Sequence, residues 1–462
     1  MILLHALLLV LSCWPPQAAA FVEPGMAGDR HTGIAKRQKF CNTLKISSST
    51  SDGNSADNSP ENASTTTTVA SSCPFVKYFP RYKIDMSSRK VKQKEKSWFS
   101  SLVPSMPNLN QAKLQSKLLA GEKLAWHADL DGINAYSTLW KEADQLLQNE
   151  DAPSVLVALP GATSSVVQNW AEIMSWMNNQ YPFDDGMTRV EATLLSPKDE
   201  NAFAVRIQKM TDNTLPNRME DFGVGTTNRR TLSWVKRILV EQGICPFTKS
   251  PRMSGQGLED IGVPVGSIAY HASSAIHPVS LMADTFHAIE EMIAAGPEGK
   301  AGVSSILLAA PAFDDDFDLW AGPIFAMLEA SVVAALAESQ IGVVCFHPRY
   351  ACPDGSSWPG FGHMHSVPRL ERWYQESKAS GNDKESDCHM QLSKEDIAAG
   401  GAWQRRTPHA TINVLRADQL EAAEARRSSS DLYPINIDKL VGPSGIGSEK
   451  LAQDLERERS MT

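Results

Sequence analysis

Short unbroken apolar runs, closed by proline, alternate with longer stretches of helical spacing from about residue 130 onward. Leu139 to Leu147 carries apolar positions at helical spacing. Ser154-Val155-Leu156-Val157-Ala158-Leu159 is continuous and apolar, and Pro160-Gly161 closes it. A run of that length suits a strand buried on both faces. A helix over Ser164 to Asn178 and a strand over Arg189 to Leu195, ending at Pro197, complete a βαβ-like unit. The same grammar returns in Ser304 to Pro311, a helix across Leu319 to Glu338, and a strand Ile341 to Phe346 that ends at Pro348. From strand-ending proline to strand-ending proline is 37 residues in both stretches. Equal spacing fits an internal duplication, and it fits as well the chance recurrence of the commonest α/β building unit.

Further strands are expected near Ser267–Tyr270 and His409–Leu415, and the run before Pro311 reads as a strand near Val303–Ala309. Further helices are expected over Thr231–Gln242, Pro278–Ala294 and Asp418–Arg427. Such alternation predicts an α/β fold, a layered sheet with flanking helices built from βαβ-like units, with two related halves as one form of it. The apolar helix at 321–337 falls short of the roughly 20 residues a membrane span needs and carries Glu329. Composition then divides the chain. Residues 1–20 read as a signal peptide, 21–72 as a transit segment and disordered Ser/Thr-rich linker, and 73–129 as a basic, partly disordered linker. An N-terminal α/β unit follows at 130–225, then an α/β domain at 226–430 with a polar insert at 352–405. A tail helix occupies 431–462. Within the insert, Lys378–Asp396 is polar enough to be a mobile surface segment.

Charge changes the picture of partners. Residues 21–100 hold 13 Lys/Arg against 7 Asp/Glu, whereas the rest of the chain holds 31 against 46. An acidic body gives no electrostatic support for nucleic-acid binding. The basic segment is better explained by targeting. Ile2 to Leu11 has the length of a signal h-region, and Ala18-Ala19-Ala20 supplies a small-residue cleavage site. Residues 26–50 are basic and rich in Ser/Thr, as transit peptides are. A signal followed by Ala20-Phe21 and such a stretch resembles the two-part plastid presequence of diatoms and related algae. That resemblance implies delivery to the chloroplast stroma, and simple secretion is the alternative. The mature chain carries no transmembrane segment on this reading. Of 7 cysteines, Cys13 and Cys41 leave with the presequence. Cys73, Cys245, Cys345, Cys352 and Cys388 are odd in number and irregular in spacing, which favours free thiols.

Three short motifs carry the candidate chemistry: Cys245-Pro246-Phe247, Phe346-His347-Pro348-Arg349-Tyr350, and Arg406-Thr407-Pro408-His409-Ala410-Thr411-Ile412-Asn413-Val414-Leu415-Arg416. In that order they resemble the domain-of-unknown-function 1415 family of bacteria and plastid-bearing eukaryotes, whose marks are C-P-F-A, F-H-P-x-Y and R-S-P-x-P-T-x-H-L-L-R. The resemblance covers roughly Arg229 to Arg427. It implies a fold and a pocket but no reaction.

His347 follows an apolar strand, and strand ends are where α/β folds place ligands, so it is the candidate acid or base. The bland alternative is a histidine that bonds a loop carbonyl and holds the turn. Cys245 is a candidate accessory thiol or nucleophile if nearby Lys249 and Arg252 favour the thiolate, although a helix C-terminus opposes it. A packed cysteine is the commoner outcome. Arg406 and Arg416 could clamp a carboxylate or phosphate, and Tyr350 and Asn413 join them as candidate binding residues. One of the two arginines could instead pair with a local acid. Asn413 stands where the family has histidine, and an amide cannot relay a proton. Cys345, His347, Cys352, His363 and His365 offer sulfur and nitrogen donors, but their spacing matches no usual zinc pattern, so no metal is assigned. Asp314, Asp315 and Asp316 could bind a cation, and the simpler reading is that they cap and charge-complement the N-terminus of the following helix. No phosphate-binding glycine loop, G-x-S-x-G or C-x-x-C occurs, and no cofactor is assigned.

The residues therefore point to a small enzyme acting on an anionic metabolite, with His347 as acid/base and an arginine clamp. The rival is a non-catalytic binding or assembly module with unknown protein partners.

Overall fold

The computed structural model describes residues 111–462, except 129, 131, 163, 185, 196–203, 211–215, 296–301, 356–360 and 381–391. The signal and transit readings, Phe21, Pro197, Cys73 and Cys388 lie outside the described residues, as does the middle of the Lys378–Asp396 segment.

A short helix α1 (Gln111–Gln115) leads into strand β1 (Lys123–Trp126), helix α2 (Gly132–Gln148), strand β2 (Ser154–Ala158), helix α3 (Ser164–Gln180) and strands β3 (Val190–Leu194) and β4 (Ala204–Lys209). These strands form one sheet in the order β1-β2-β4-β3. β1 runs parallel to β2, whereas β4 is antiparallel to both β2 and β3. The expected βαβ strands β2 and β3 are therefore not neighbours, because β4 lies between them. β1 belongs to the sheet although it falls in the stretch 73–129 read as linker.

Helix α4 (Val224–Trp234) continues through a π-helical turn, Val235–Glu241, and strand β5 (Met253–Ser254) follows. Next come β6 (Gly266–Ala272), α5 (Pro278–Ala294), β7 (Val303–Ala309), the helical run α6 (Phe317–Ala334) and β8 (Ile341–Phe346). Helices α7 (Val367–Ser380) and α8 (Lys394–Trp403) precede β9 (Thr411–Arg416), and α9 (Ala417–Arg426), α10 (Ser429–Val441) and α11 (Ser448–Arg459) complete the chain. The second sheet has the order β5-β6-β7-β9-β8.

From β6 onward the second sheet repeats the first. Trp126 pairs with Ala158 as Ala272 pairs with Ala309. Leu194 pairs with Val205 as Cys345 pairs with Ile412. Helices α2 and α5 both have 17 residues. A one-residue slip would turn every side chain to the other face, so register is strongly specified in a buried sheet. Agreement in strand order, direction and register is more than recurrence of one unit would give. The equal proline spacing thus marks two halves of one topology.

The halves meet through their helices. α2 packs on its counterpart α5, and α3 on its counterpart α6, as in an isologous interface. One continuous core joins Val155, Val157 and Ile207 of the first sheet, Trp140, Trp170, Phe286 and Phe325 of the helices, and Ile306 and Ile412 of the second sheet. Helix α6 is apolar and long enough to cross a membrane. Here it lies inside that core, with Trp320, Ile324, Phe325 and Leu328 all fully buried. The opposite face of the second sheet carries Leu307, Val344 and Phe346 and is covered by Trp234, Ile238, Trp403 and Leu455. The insert is in good part helical: α7 and α8 pack on each other and on α10. Lys378 belongs to α7 and Asp396 to α8, so both ends of the segment read as mobile are ordered helix.

Candidate functional site

In the second half, β6, β7 and β8 run the same way and β9 runs against them. The loops after β7 and β8 and the loop before β9 therefore gather at one end, and this places Asp314, His347, Tyr350 and Arg405 to His409 together.

His347 is fully buried. Its Nδ1 accepts the main-chain N–H of Arg349 at 3.0 Å, so the ring proton sits on Nε2, which donates to the Phe313 carbonyl at 2.9 Å. Burial holds its pKa down to about 4, with the Phe313 bond opposing. Both nitrogens are spent and the ring is closed off from solvent. His347 holds the turn, and the acid/base role expected of it does not fit this geometry.

Cys245 lies beyond the π-helical turn, with Thr248 Oγ1 at 3.3 Å from its sulfur. Burial raises its pKa, and the hydrogen bonds from Thr248 and the Phe247 main chain only partly offset that. The thiolate needed of a nucleophile is disfavoured. Among the described residues Cys245 is tied to the loop before β9 indirectly: Asn436 Nδ2 bridges the Ile244 carbonyl and Gln404 Oε1. Arg416 stands at the far end of β9 and bonds Asp418 from Nε at 3.1 Å, the local pairing that the strand geometry allowed. Asn413 lies in mid-sheet and accepts the Ser305 hydroxyl at 2.7 Å. Neither belongs to the loop cluster.

Arg405, which the sequence did not single out, is its buried centre. Its guanidinium donates to the carbonyls of Gly362 at 2.9 Å and His363 at 2.8 Å and to the Tyr433 hydroxyl at 3.0 Å. It lies over the rings of Phe346 and Tyr350. Gly362 and His363 both have φ in the left-handed region, 64° and 56°, which is strained for a histidine. A Cβ on Gly362 would stand 2.4 Å from Cys345 Cβ. All of these acceptors are neutral, so a buried cation is solvated by dipoles and its charge is not cancelled.

Arg406 is partly buried and stacks on Trp403, with its guanidinium carbon 4.4 Å from the ring centre. Its Nε donates to the Tyr350 carbonyl at 3.0 Å. The Cys352 thiol feels both guanidiniums, but burial dominates and pushes it up to about 12. His365 packs between Trp373 and Tyr433, and its buried Nδ1 meets no hydrogen-bond partner among the described residues. Burial, aided by Arg405, keeps its ring neutral. Among the described residues no three His, Cys, Asp or Glu side chains are grouped to hold a metal ion.

On the other side of the loop before β9, His409 Nδ1 lies 2.9 Å from Asp314 Oδ2. Asp314 Oδ1 accepts the Ala410 N–H at 2.7 Å. Of the three aspartates read as helix caps, only Asp316 caps, accepting the Leu319 N–H. Asp315 pairs with Arg349. The sequence held a faint signal for the Asp314–His409 contact, since Asp314 follows one strand expected in the sheet and His409 begins another.

Residues 226–358 match a family model described as Protein of unknown function (DUF1415). The match takes in Cys245-Pro246-Phe247 and Phe346-His347-Pro348 and stops before Arg406-Thr407-Pro408. No curated protein and no solved structure matches the chain.

Proposed function

We propose, for a chain whose residues 226–358 match the model of this family of unknown function, that it binds a small anionic molecule where the second sheet's loops gather, with Arg406 as the clamp. One observation carries this reading. Arg406 spends Nε on a carbonyl and its flat face on Trp403, and among the described residues no acidic side chain pairs with its Nη groups. A planar fork held rigid on an aromatic ring and left without an acid is suited to a carboxylate or phosphate. Arg405 behind it adds positive potential, since its hydrogen-bond acceptors among the described residues are neutral.

The reading is of binding ahead of catalysis at this place, because His347 and Cys245 supply no available acid, base or thiolate beside Arg406. Tyr350 serves through its carbonyl, which fixes the Arg406 side chain. A thermal-shift screen of the mature protein against monoanions, phosphate esters and di- and tricarboxylates tests it, since a ligand of the native state raises stability by mass action. Stabilisation by a subset of these anions is expected, and a flat response across the panel contradicts it. Delivery to the plastid stroma is a further proposal, and its support is the composition of residues 1–50 alone.

A further inference from the structure

We propose that Asp314, His409 and Arg230 form a second site, a proton-transfer centre for a small anionic substrate, lying under residues Ser460–Thr462. It stands independently of the binding site at Arg406.

The hydrogen bonds fix the chemistry of the imidazole. A carboxylate only accepts, so His409 Nδ1 carries the ring proton and donates it to Asp314 Oδ2 at 2.9 Å. The Ala410 N–H holds the other carboxylate oxygen, which stops the pair from rotating. Nε2 therefore presents a lone pair, and facing it is Arg230 Nη1 at 3.4 Å, a long contact. A base oriented by a buried carboxylate is the arrangement used to activate protons in many enzymes.

Arg230 supplies the anion-binding part. Its Nε donates to the Met461 carbonyl at 2.9 Å, and among the described residues no carboxylate pairs with it. Next to it, Arg229 Nη2 donates to the Thr462 main-chain oxygen at 3.1 Å. Arg459, the last residue of α11, donates to the Pro408 carbonyl at 3.0 Å and stands 3.6 Å from Asp314 Oδ2. The last residues are thus tied to Arg229 and Arg230, the second of which faces His409, itself 5% exposed, by bonds that an anion on Arg230 would outcompete.

With the cover lifted, the substrate's anionic group lies against Arg229 and Arg230 and its acidic O–H or C–H faces Nε2. The Nε2 lone pair takes the proton and the bonding pair stays on the substrate atom. Asp314 stabilises the resulting imidazolium, and Nε2 later returns the proton to the product. A carboxylate or a phosphate monoester meets the same donors.

Acylation of His409 Nε2 by diethyl pyrocarbonate, mapped by mass spectrometry, reads this site without a known substrate. In the full chain His409 reacts slowly. Deleting residues 460–462 speeds it roughly tenfold, the effect of losing one or two net hydrogen bonds of cover. Arg230→Ala in the otherwise full chain opens the same cover without shortening it. Inorganic phosphate, and acetate in a parallel arm, should protect His409 in the deletion variant. That protection should vanish with Arg230→Ala and persist with Arg406→Ala. Asp314→Asn should slow the acylation, because an amide N–H facing Nδ1 moves the ring proton to Nε2. His409 reactivity indifferent to the deletion, to both anions and to Asp314→Asn would overturn the proposal. Protection lost with Arg406→Ala but not with Arg230→Ala would overturn it too, while leaving the binding site at Arg406 standing.

Discussion

His347 donates its Nε2–H to the carbonyl of Phe313, and this buried bond joins the turn after β8 to the turn after β7 beneath the exposed Arg349–Asp315 pair. The same ring accepts the Arg349 N–H, so one buried side chain satisfies two main-chain groups that would otherwise be orphaned.

Removing it should cost stability. His347→Ala leaves the buried Phe313 carbonyl and the half-buried Arg349 N–H unpaired and opens a cavity, together worth about 2–4 kcal/mol. A fall in the urea midpoint of the full chain, without selective loss of anion binding, is expected. Unchanged stability would return the residue to the list of functional candidates.

The pH dependence carries a second expectation, with two opposed signs. Burial holds His277, His347 and His363 down to about 4, below the ordinary 6.5. The unfolded chain then binds more protons between those values, so the stability these rings contribute is present above 6.5 and lost as pH falls toward 4. Glu329 is the reverse case. Burial pushes its carboxyl up to about 7, with the Gly362 N–H bond pulling the other way. Its contribution is most favourable below the ordinary 4.5 and is lost as pH rises to about 7. Glu329→Gln removes the charge and keeps an acceptor for Gly362. The variant should gain on the native chain as pH climbs from 4.5 to above 7, read as the difference in urea midpoints. A difference independent of pH would show that Glu329 is not held neutral by burial.

Much of the second half was legible because its strands are continuous apolar runs and its helices have clean periodicity. α5 occupies Pro278–Ala294 residue for residue as expected, and β7 and β8 also match. β4 was not read, because Ala-Val-Arg-Ile-Gln-Lys alternates and half of it faces outward, which is a weaker signal than a fully buried run. With β4 and β9 each inserted between two parallel strands, spacing alone could not give the sheet order. At the site, Arg406 was legible from its motif. Arg405 was not, since nothing in a sequence shows that a cation will be buried among carbonyls. His347 misled for a definite reason: a strand-end histidine before proline looks the same whether it serves a ligand or a loop.

Targeting gives an expectation that rests on residues outside the described structure. Cleavage after Ala20 should expose Phe21, and a receptor that reads the aromatic ring should reject Phe21→Ala. In a fluorescent fusion the variant should stay outside the stroma while the native presequence enters. Secretion of both fusions would reduce the stretch after Ala20 to a linker.

Calorimetric titration of the mature chain with an anion that stabilises it, repeated with Arg406→Ala and Arg416→Ala, decides whether Arg406 is the anion clamp. Arg406→Ala should weaken binding by roughly tenfold or more, as loss of a charge-assisted, bidentate partner does. Arg416→Ala should leave it unchanged, because Arg416 is engaged with Asp418 at the other end of β9. Equal affinity in the Arg406→Ala variant and the native chain would contradict the account.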